Sequence, residues 1–391
     1  MEQKLVALSG NEAVAYAFKQ AKPHVAAAFP ITPQTEMMHK YAEFVANGES
    51  TTEMLLAESE HSAMSAAVGS AAAGARTFTA TSSAGFALMW EIVYVAASLR
   101  LPICMAMVNR ALSGNINIHC DHSDSMGGRD AGWIHLFGEN AQESYDNAIM
   151  SWRIAEHMDV RLPVMVNYDG FIISHTADAL HMLPDDAAYD FIGPYKHDYT
   201  LLDPENPITV GPLDLTDYYF EHKTSQLAAC ARAPGIIQSV SEEFASLTGR
   251  SYQFAEEYKM DDAEIVMVLL GSSAGTAKDV IDEYREKGVK AGLLKIRMFR
   301  PFPNAYIAKV LAGRKAVAVL DRSASFGGFG GPVFTEIRSA MYGQKVPVHG
   351  YIYGLGGRDF DLRQVATVLD NLQMVAAGGQ IEDVNLLGVR T

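Results

Sequence analysis

Three segments carry side chains whose type and spacing suit chemistry on a small anionic substrate. FPITPQT at 29–35 sets Thr32 directly before Pro33. Proline suits the first position of a helix and pushes its predecessor into an extended conformation, so Thr32 reads as an N-cap whose hydroxyl can also donate its proton to a ligand. AESEHSAMSAAVGSAAAGA at 57–75 puts Glu58 and Glu60 at the start of a small-residue helix. A helix dipole alone explains acidic residues there, and a buried carboxylate at that position also stays ionised, as an acceptor for a cofactor ring nitrogen must. VNRALSGNINIHCDHSDSMGGRD at 108–130 opens on Asn109 and Arg110 at the end of an apolar run. A guanidinium there can clamp a carboxylate with two parallel hydrogen bonds, or form a structural ion pair with Asp121 or Asp124. His119, Cys120, Asp121, His122 and Asp124 follow, but His-x-x-His on a glycine-rich loop lacks the second ligand pair of a zinc site. No metal is assigned to this chain, and the loop is read as a mobile cover over substrate.

Open parallel sheets bind ligands beyond the carboxyl ends of their strands, and the sequence supplies such strands. Apolar runs at 24–29, 53–57, 76–80, 102–108, 133–137 and 162–167 alternate with helical patterns. They predict a parallel sheet covered on both faces, in a domain spanning 1–175. From 176 to 262 six prolines and several tyrosines interrupt the pattern. This region is expected to be a connecting arm over another surface, with helical stretches near 214–231 and 238–248. Strands at 264–270, 289–296, 315–321 and 346–352, with helices between them, predict a second, smaller doubly wound domain over 263–373. Residues 374–391 read as an irregular tail. The glycine-rich SFGGFGGP at 325–332 and GLGGRD at 354–359 fit neither a dinucleotide fingerprint nor a Walker loop, so they are expected to be turns with positive φ.

Composition narrows the partners. Asp and Glu outnumber Lys and Arg by 46 to 31, a net charge of −15, which argues against nucleic acid. Apolar residues reach 49% and charged residues only 20%, which points to burial in a larger assembly. Uncharged stretches are too short and too rich in small residues to span a bilayer, and the N-terminus lacks a secretory pattern, so a cytoplasmic protein is expected. Cys104, Cys120 and Cys230 are the only three cysteines, too few for a four-cysteine iron-sulfur site, so any cluster belongs to a partner.

FPITP at 29–33, ESEHSAMSAAVGSAAAGARTFTATSS at 58–83, RLPICMAMVNRALS at 100–113, RDAGWI at 129–134, PVMVNYDGFIISHT at 163–176, KIRMFRPFP at 295–303 and LDRSASFG at 320–327 resemble the alpha subunit of pyruvate (2-oxoacid):ferredoxin oxidoreductases, in order along nearly the whole chain. The resemblance implies an α/β protein with a pyrimidine-type thiamine diphosphate-binding domain followed by a transketolase C-terminal-like domain. It implies oxidative decarboxylation of a 2-oxo acid to an acyl-CoA and carbon dioxide, with electrons passing to ferredoxin or another low-potential acceptor. On this footing Thr32 and Arg110, with Asn109, contact the substrate carboxylate. Glu60 engages the aminopyrimidine, with Pro30, Ile31, Ser82 and Ser83 lining the cofactor. Thiamine enzymes hold Mg2+ and the diphosphate on a Gly-Asp-Gly motif, and only Tyr168-Asp169-Gly170 comes near it here. The implied partners are a beta subunit with that motif and a [4Fe-4S] cluster, a gamma subunit that uses coenzyme A, and a ferredoxin-like delta subunit. Gly114 and Asn115 follow NRALS where pyruvate-using relatives often have Ala-Pro, which leaves room for a larger branched or aryl acid such as phenylglyoxylate. The competing readings are a subunit of a lipoate-linked 2-oxoacid dehydrogenase and a non-catalytic scaffold.

Overall fold

The computed structural model describes residues 3–197 and 199–390. Two parallel sheets dominate it. In the first, Glu53–Leu56, Val25–Ala28, Thr77–Thr81, Cys104–Asn109, Val164–Asp169 and Ile134–Phe137 lie side by side in that spatial order, all parallel. The three central strands are buried along their whole length, which is why they read as unbroken apolar or small-residue runs rather than as alternation. Helices Gly10–Gln20 and Ala141–Glu156 pack on one face through Phe18, Phe78 and Trp152, whose rings meet edge to face at 4.9 and 5.3 Å. The small-residue helix Glu60–Ala72 and helix Trp90–Ser98 cover the other face through Met64, Ala67, Val93 and Ala97. At the open edge, Met298–Arg300 from the second half of the chain pairs antiparallel with Ile134–Phe137, so this sheet draws a strand from beyond residue 263.

The second sheet runs Val348–Ile352, Ala316–Asp321, Ile265–Leu269, Ala291–Ile296, all parallel, with Ala255–Tyr258 added antiparallel at one edge. The expected irregular tail is corrected here. Helix Leu362–Ala376 extends into it, and Val384–Leu386 forms the other edge strand, parallel to Val348–Ile352. A three-residue strand has no periodicity to read, and it forms because it satisfies the edge, with Gly350 N–H reaching Asp383 O at 2.8 Å and Leu387 N–H reaching Ile352 O at 2.9 Å.

The arm differs from expectation: it supplies strand Ala177–Met182, paired antiparallel with Lys4–Ser9, and the edge strand Ala255–Tyr258, and its helices are arranged differently. The two helical stretches are a single 30-residue helix, Tyr219–Thr248, that continues through Pro234. Pro234 removes one backbone donor, but Ala229, Ala233, Ile237, Val240 and Phe244 form a stripe buried in the first domain's core, and that packing outweighs the loss. Leu180, Leu183, Ala188 and Ile192 at the arm's start are buried in the core, whereas the stretch 201–220 is largely exposed, with Leu202, Leu213, Tyr218 and Phe220 facing outward.

Where the two sheets meet, Asp169 at the end of its strand receives His122 Nε2 at 2.8 Å, Arg322 Nη1 at 3.0 Å and the Ser272 N–H at 3.1 Å. Burial pushes the Asp169 carboxyl up, but His122 and Arg322 outweigh it and hold it well below the usual carboxylate range. A buried pair of this kind, once formed, costs about 3–5 kcal/mol to break from one side, so it keeps the domains in register.

Candidate functional site

Every segment singled out in the sequence falls at the carboxyl end of a strand of the first sheet. Residues 29–35 follow Val25–Ala28, Glu60 follows Glu53–Leu56, Ser82 and Ser83 follow Thr77–Thr81, and Arg110 follows Cys104–Asn109.

Thr32 is not an N-cap. Its helix is Thr35–Ala46 with Gln34 at the cap, and Ile31–Gln34 forms a tight turn instead, closed by Gln34 N–H on Ile31 O at 2.8 Å. Ile31 N–H also donates to Gln34 Oε1 at 3.2 Å, and Asn11 holds Pro33 O at 2.9 Å. The turn leaves Pro30 and Thr32 exposed and Ile31 half-buried, and it aims the Thr32 carbonyl at Arg110, whose Nη1 donates to it at 2.8 Å.

Arg110 Nε donates to Asn117 O at 3.1 Å. Among the described residues no carboxylate pairs with this guanidinium. Asp121 accepts from the N–H groups of Ser123 at 2.9 Å and Gly356 at 3.2 Å. Asp124 accepts from four donors, the N–H groups of Ser83 at 3.0 Å, Arg110 at 2.9 Å and Ser125 at 2.7 Å and the Asn109 amide at 3.0 Å. The structural ion pair considered from sequence is therefore absent, and Arg110 keeps its charge at a half-buried position held by two neutral carbonyls. Asn109 is fully buried beneath the loop, bonded to Asp124 and to Ser125 Oγ at 2.9 Å, and lies behind Arg110 rather than sharing its surface.

Glu60 begins the helix Glu60–Ala72, capped by Ser59, whose hydroxyl accepts Ser62 N–H at 3.2 Å. Its side chain is buried, and among the described residues no group donates a hydrogen bond to it. Facing it is Gly85, where a Cβ would lie 2.7 Å from Glu60 Oε1 and 2.7 Å from Thr81 Oγ1. The missing side chain lets the uncommitted Glu60 carboxylate and the buried hydroxyl Thr81 Oγ1, which lacks a partner, close on the Gly85 backbone. An orphaned buried hydroxyl is costly, and a heterocycle with ring nitrogens and an amino group, docked from the open side of the sheet edge, would offer both groups a partner. Glu58, two residues earlier, is exposed and bonded to the Ser62 hydroxyl, which lowers its pKa. Ser82 and Ser83 spend their hydroxyls on Val108 O at 2.8 Å and Ala111 O at 2.5 Å, tying neighbouring strand ends together.

The loop is not a mobile cover throughout. Cys120–His122 and Asp124–Met126 are buried, the short helix Ser123–Gly127 forms there, and the loop is tied to the second domain by His122 N–H on Arg322 O at 2.8 Å. Sequence reasoning named Asp124 only as a possible metal ligand or ion-pair partner and missed its role as the hub beneath the clamp. The available signal was an Asp opening a short helix in an otherwise glycine-rich loop. Burial pushes Asp124 up to about 6, against the pull of its four donors. Protonation below that value removes acceptor capacity from the Arg110 and Ser83 amides. The KM for an anionic substrate is therefore expected to rise as pH falls through about 6. This is not acid unfolding. A carboxyl raised on folding stabilises the fold below its unfolded pKa and loses that contribution as pH rises through the folded value. KM against pH for the parent and for Asp124→Asn checks the idea, since the variant should lose the inflection; an inflection that persists would assign it elsewhere.

Residues 16–242 match the family described as pyruvate flavodoxin/ferredoxin oxidoreductase, thiamine diphosphate-binding, and 263–365 match pyruvate:ferredoxin oxidoreductase core domain II. A pyruvate synthase subunit PorA of Thermotoga maritima is 56% identical over 356 residues, 90% of this chain and 91% of the relative. A ketoisovalerate oxidoreductase subunit VorA of Pyrococcus horikoshii is 43% identical, covering 96% of this chain and 95% of the relative. Among solved structures, a 2-oxoglutarate:ferredoxin oxidoreductase of Magnetococcus marinus, with 2-oxoglutarate, coenzyme A and succinyl-CoA bound, superposes with a TM-score of 0.72 at 20% identity, over 96% of this chain and 66% of that one. A split-gene transketolase follows at 0.54 and 12% identity, over 96% of this chain and all of that one, 100%. These two likenesses are of fold.

Proposed function

The chain belongs to the pyruvate flavodoxin/ferredoxin oxidoreductase family, and we propose that it is the alpha subunit of a thiamine diphosphate-dependent 2-oxoacid:ferredoxin oxidoreductase that acts on pyruvate. The observation that carries the site is Glu60, a buried carboxylate at the carboxyl edge of the sheet to which no described group donates, packed against a glycine that lets it lie there. When bound, thiamine diphosphate supplies the nucleophilic carbon and electron sink that no side chain provides. Glu60 would lie against a ring nitrogen of the aminopyrimidine and share a proton with it, the acid-base role a positioned carboxyl group can fill. Arg110, anchored on Thr32 O and Asn117 O, aims its remaining N–H groups at the substrate carboxylate. Pyruvate and coenzyme A become acetyl-CoA, carbon dioxide and a proton, and two electrons leave for the acceptor.

The rest of the machinery falls to partners. Asp169, the acid of Tyr168-Asp169-Gly170, is committed to His122, Arg322 and Ser272, so this chain's nearest approach to a diphosphate motif offers no open ligand for Mg2+. We assign Mg2+ and the diphosphate to a beta subunit that also carries a [4Fe-4S] cluster, coenzyme A to a gamma subunit, and further clusters to a ferredoxin-like delta subunit, in the cytoplasm. No described helix is long and apolar enough to cross a membrane. Leu56, Leu88 and Trp90, exposed on the elements that flank Glu60 in the chain, supply apolar surface for the beta subunit.

The isolated chain is expected to bind thiamine diphosphate weakly, to hold no stoichiometric iron and to be inactive. Co-expression with its partners should restore pyruvate-dependent, coenzyme A-dependent reduction of a viologen dye. A panel containing pyruvate, 2-oxoisovalerate and phenylglyoxylate decides the substrate. A preference for either of the larger acids would replace pyruvate, and iron at stoichiometric levels in the single chain would remove the division of labour.

A further inference from the structure

The residues beside Arg110, Leu112–Ile116, are exposed, so the first domain alone does not explain what holds the clamp. Two independent observations point to the second domain. The first is a run of hydrogen bonds. Asn117, whose backbone carbonyl accepts Arg110 Nε at 3.1 Å, donates its side-chain amide to Gly356 O at 2.9 Å. Gly356 N–H donates to Asp121 Oδ2 at 3.2 Å, and Gly357 N–H donates to Cys120 O at 2.6 Å. The second is the closeness of the two backbones. A Cβ at Gly357 would lie 2.4 Å from His119 Cβ, and Gly354, Gly356 and Gly357 have φ of 63°, 62° and 78°, where other residues are strained. GLGGRD, which matches no nucleotide-binding pattern, thus has the properties of a surface built for another stretch of backbone to lie against.

We propose that the Gly354–Gly357 turn is a latch by which the second domain sets the substrate loop, and that Asn117 is a positioning residue linking the turn to Arg110. The inference rests on the reading of Arg110 as the carboxylate clamp. Asn117 touches no substrate; its amide fixes where its own carbonyl, and with it the guanidinium, must sit.

The test uses the assembled complex with Asn117→Ala, Gly357→Ala, the double variant and Arg110→Ala, measuring KM for pyruvate, kcat and thermal midpoint on each. Both single variants should raise KM roughly 3- to 10-fold, the scale of one net hydrogen bond, with kcat near the parent's; the midpoint should change little for Asn117→Ala and fall for Gly357→Ala, whose added Cβ is strained and meets His119. Because both act through one contact, the double variant should resemble the more affected single one instead of multiplying the two effects. If Gly357→Ala assembles poorly, Asn117→Ala alone still reads KM against kcat. Unchanged KM in the single variants, or multiplicative effects in the double, would overturn the latch while Arg110→Ala still raised KM. An Arg110→Ala variant with unchanged KM would remove the clamp itself, and the latch with it.

Discussion

Glu60→Gln in the assembled complex should lower turnover by at least about 100-fold, the scale of losing a positioned acid-base group. The side chain keeps its length, and no described group donates to the carboxylate, so no native hydrogen bond is broken and the fold should be retained. What changes is the chemistry of the site. An amide can form a hydrogen bond to a ring nitrogen but cannot exchange a proton with it, and in a buried site water does not take over that role. Glu58→Gln should do far less, because Glu58 is exposed and faces Ser62 on the outside of the helix start. Paired turnover and thermal-shift measurements on both variants check this. A larger loss at Glu58 would mean that the carboxylate serving the cofactor is the outer one.

Arg110→Ala should cost about 2–5 kcal/mol in kcat/KM, as removing one partner of a desolvated charge pair does. The parent guanidinium has no carboxylate to neutralise it among the described residues, so its charge is available to substrate. Arg110→Lys should retain attraction but lose the planar fork, raising KM by less. Thr32→Val should fall near or below about 1 kcal/mol, since the bond to Arg110 runs from the Thr32 backbone carbonyl and survives the change. KM and thermal midpoint measured together separate the alternatives. A lowered midpoint with unchanged KM would make Arg110 a brace between Thr32 and Asn117 and nothing more.

What the sequence determined by itself was the set of elements and their ends. Six short runs became the six parallel strands of the first sheet, the inner ones because strands buried on both faces must carry apolar or small side chains, and the loops after them form the candidate site because parallel strands share one carboxyl edge. Glu60 at a helix start and Arg110 at a strand end were legible for the same reason: local hydrogen-bonding demands set both positions. The tertiary structure decided what those residues could do. Gly85 meets Glu60 from a different strand–helix unit, Asp124 gathers Ser83 and Asn109 beneath Arg110 from across the sheet, and Asp169 belongs to the junction with Arg322 rather than to a diphosphate. The Pro234 helix and the strand Val384–Leu386 likewise arise from packing and edge pairing that no local window contains. Such contacts join residues far apart in the chain, and their energies come from burial and unsatisfied polar groups, which exist only once the sheets have been brought together.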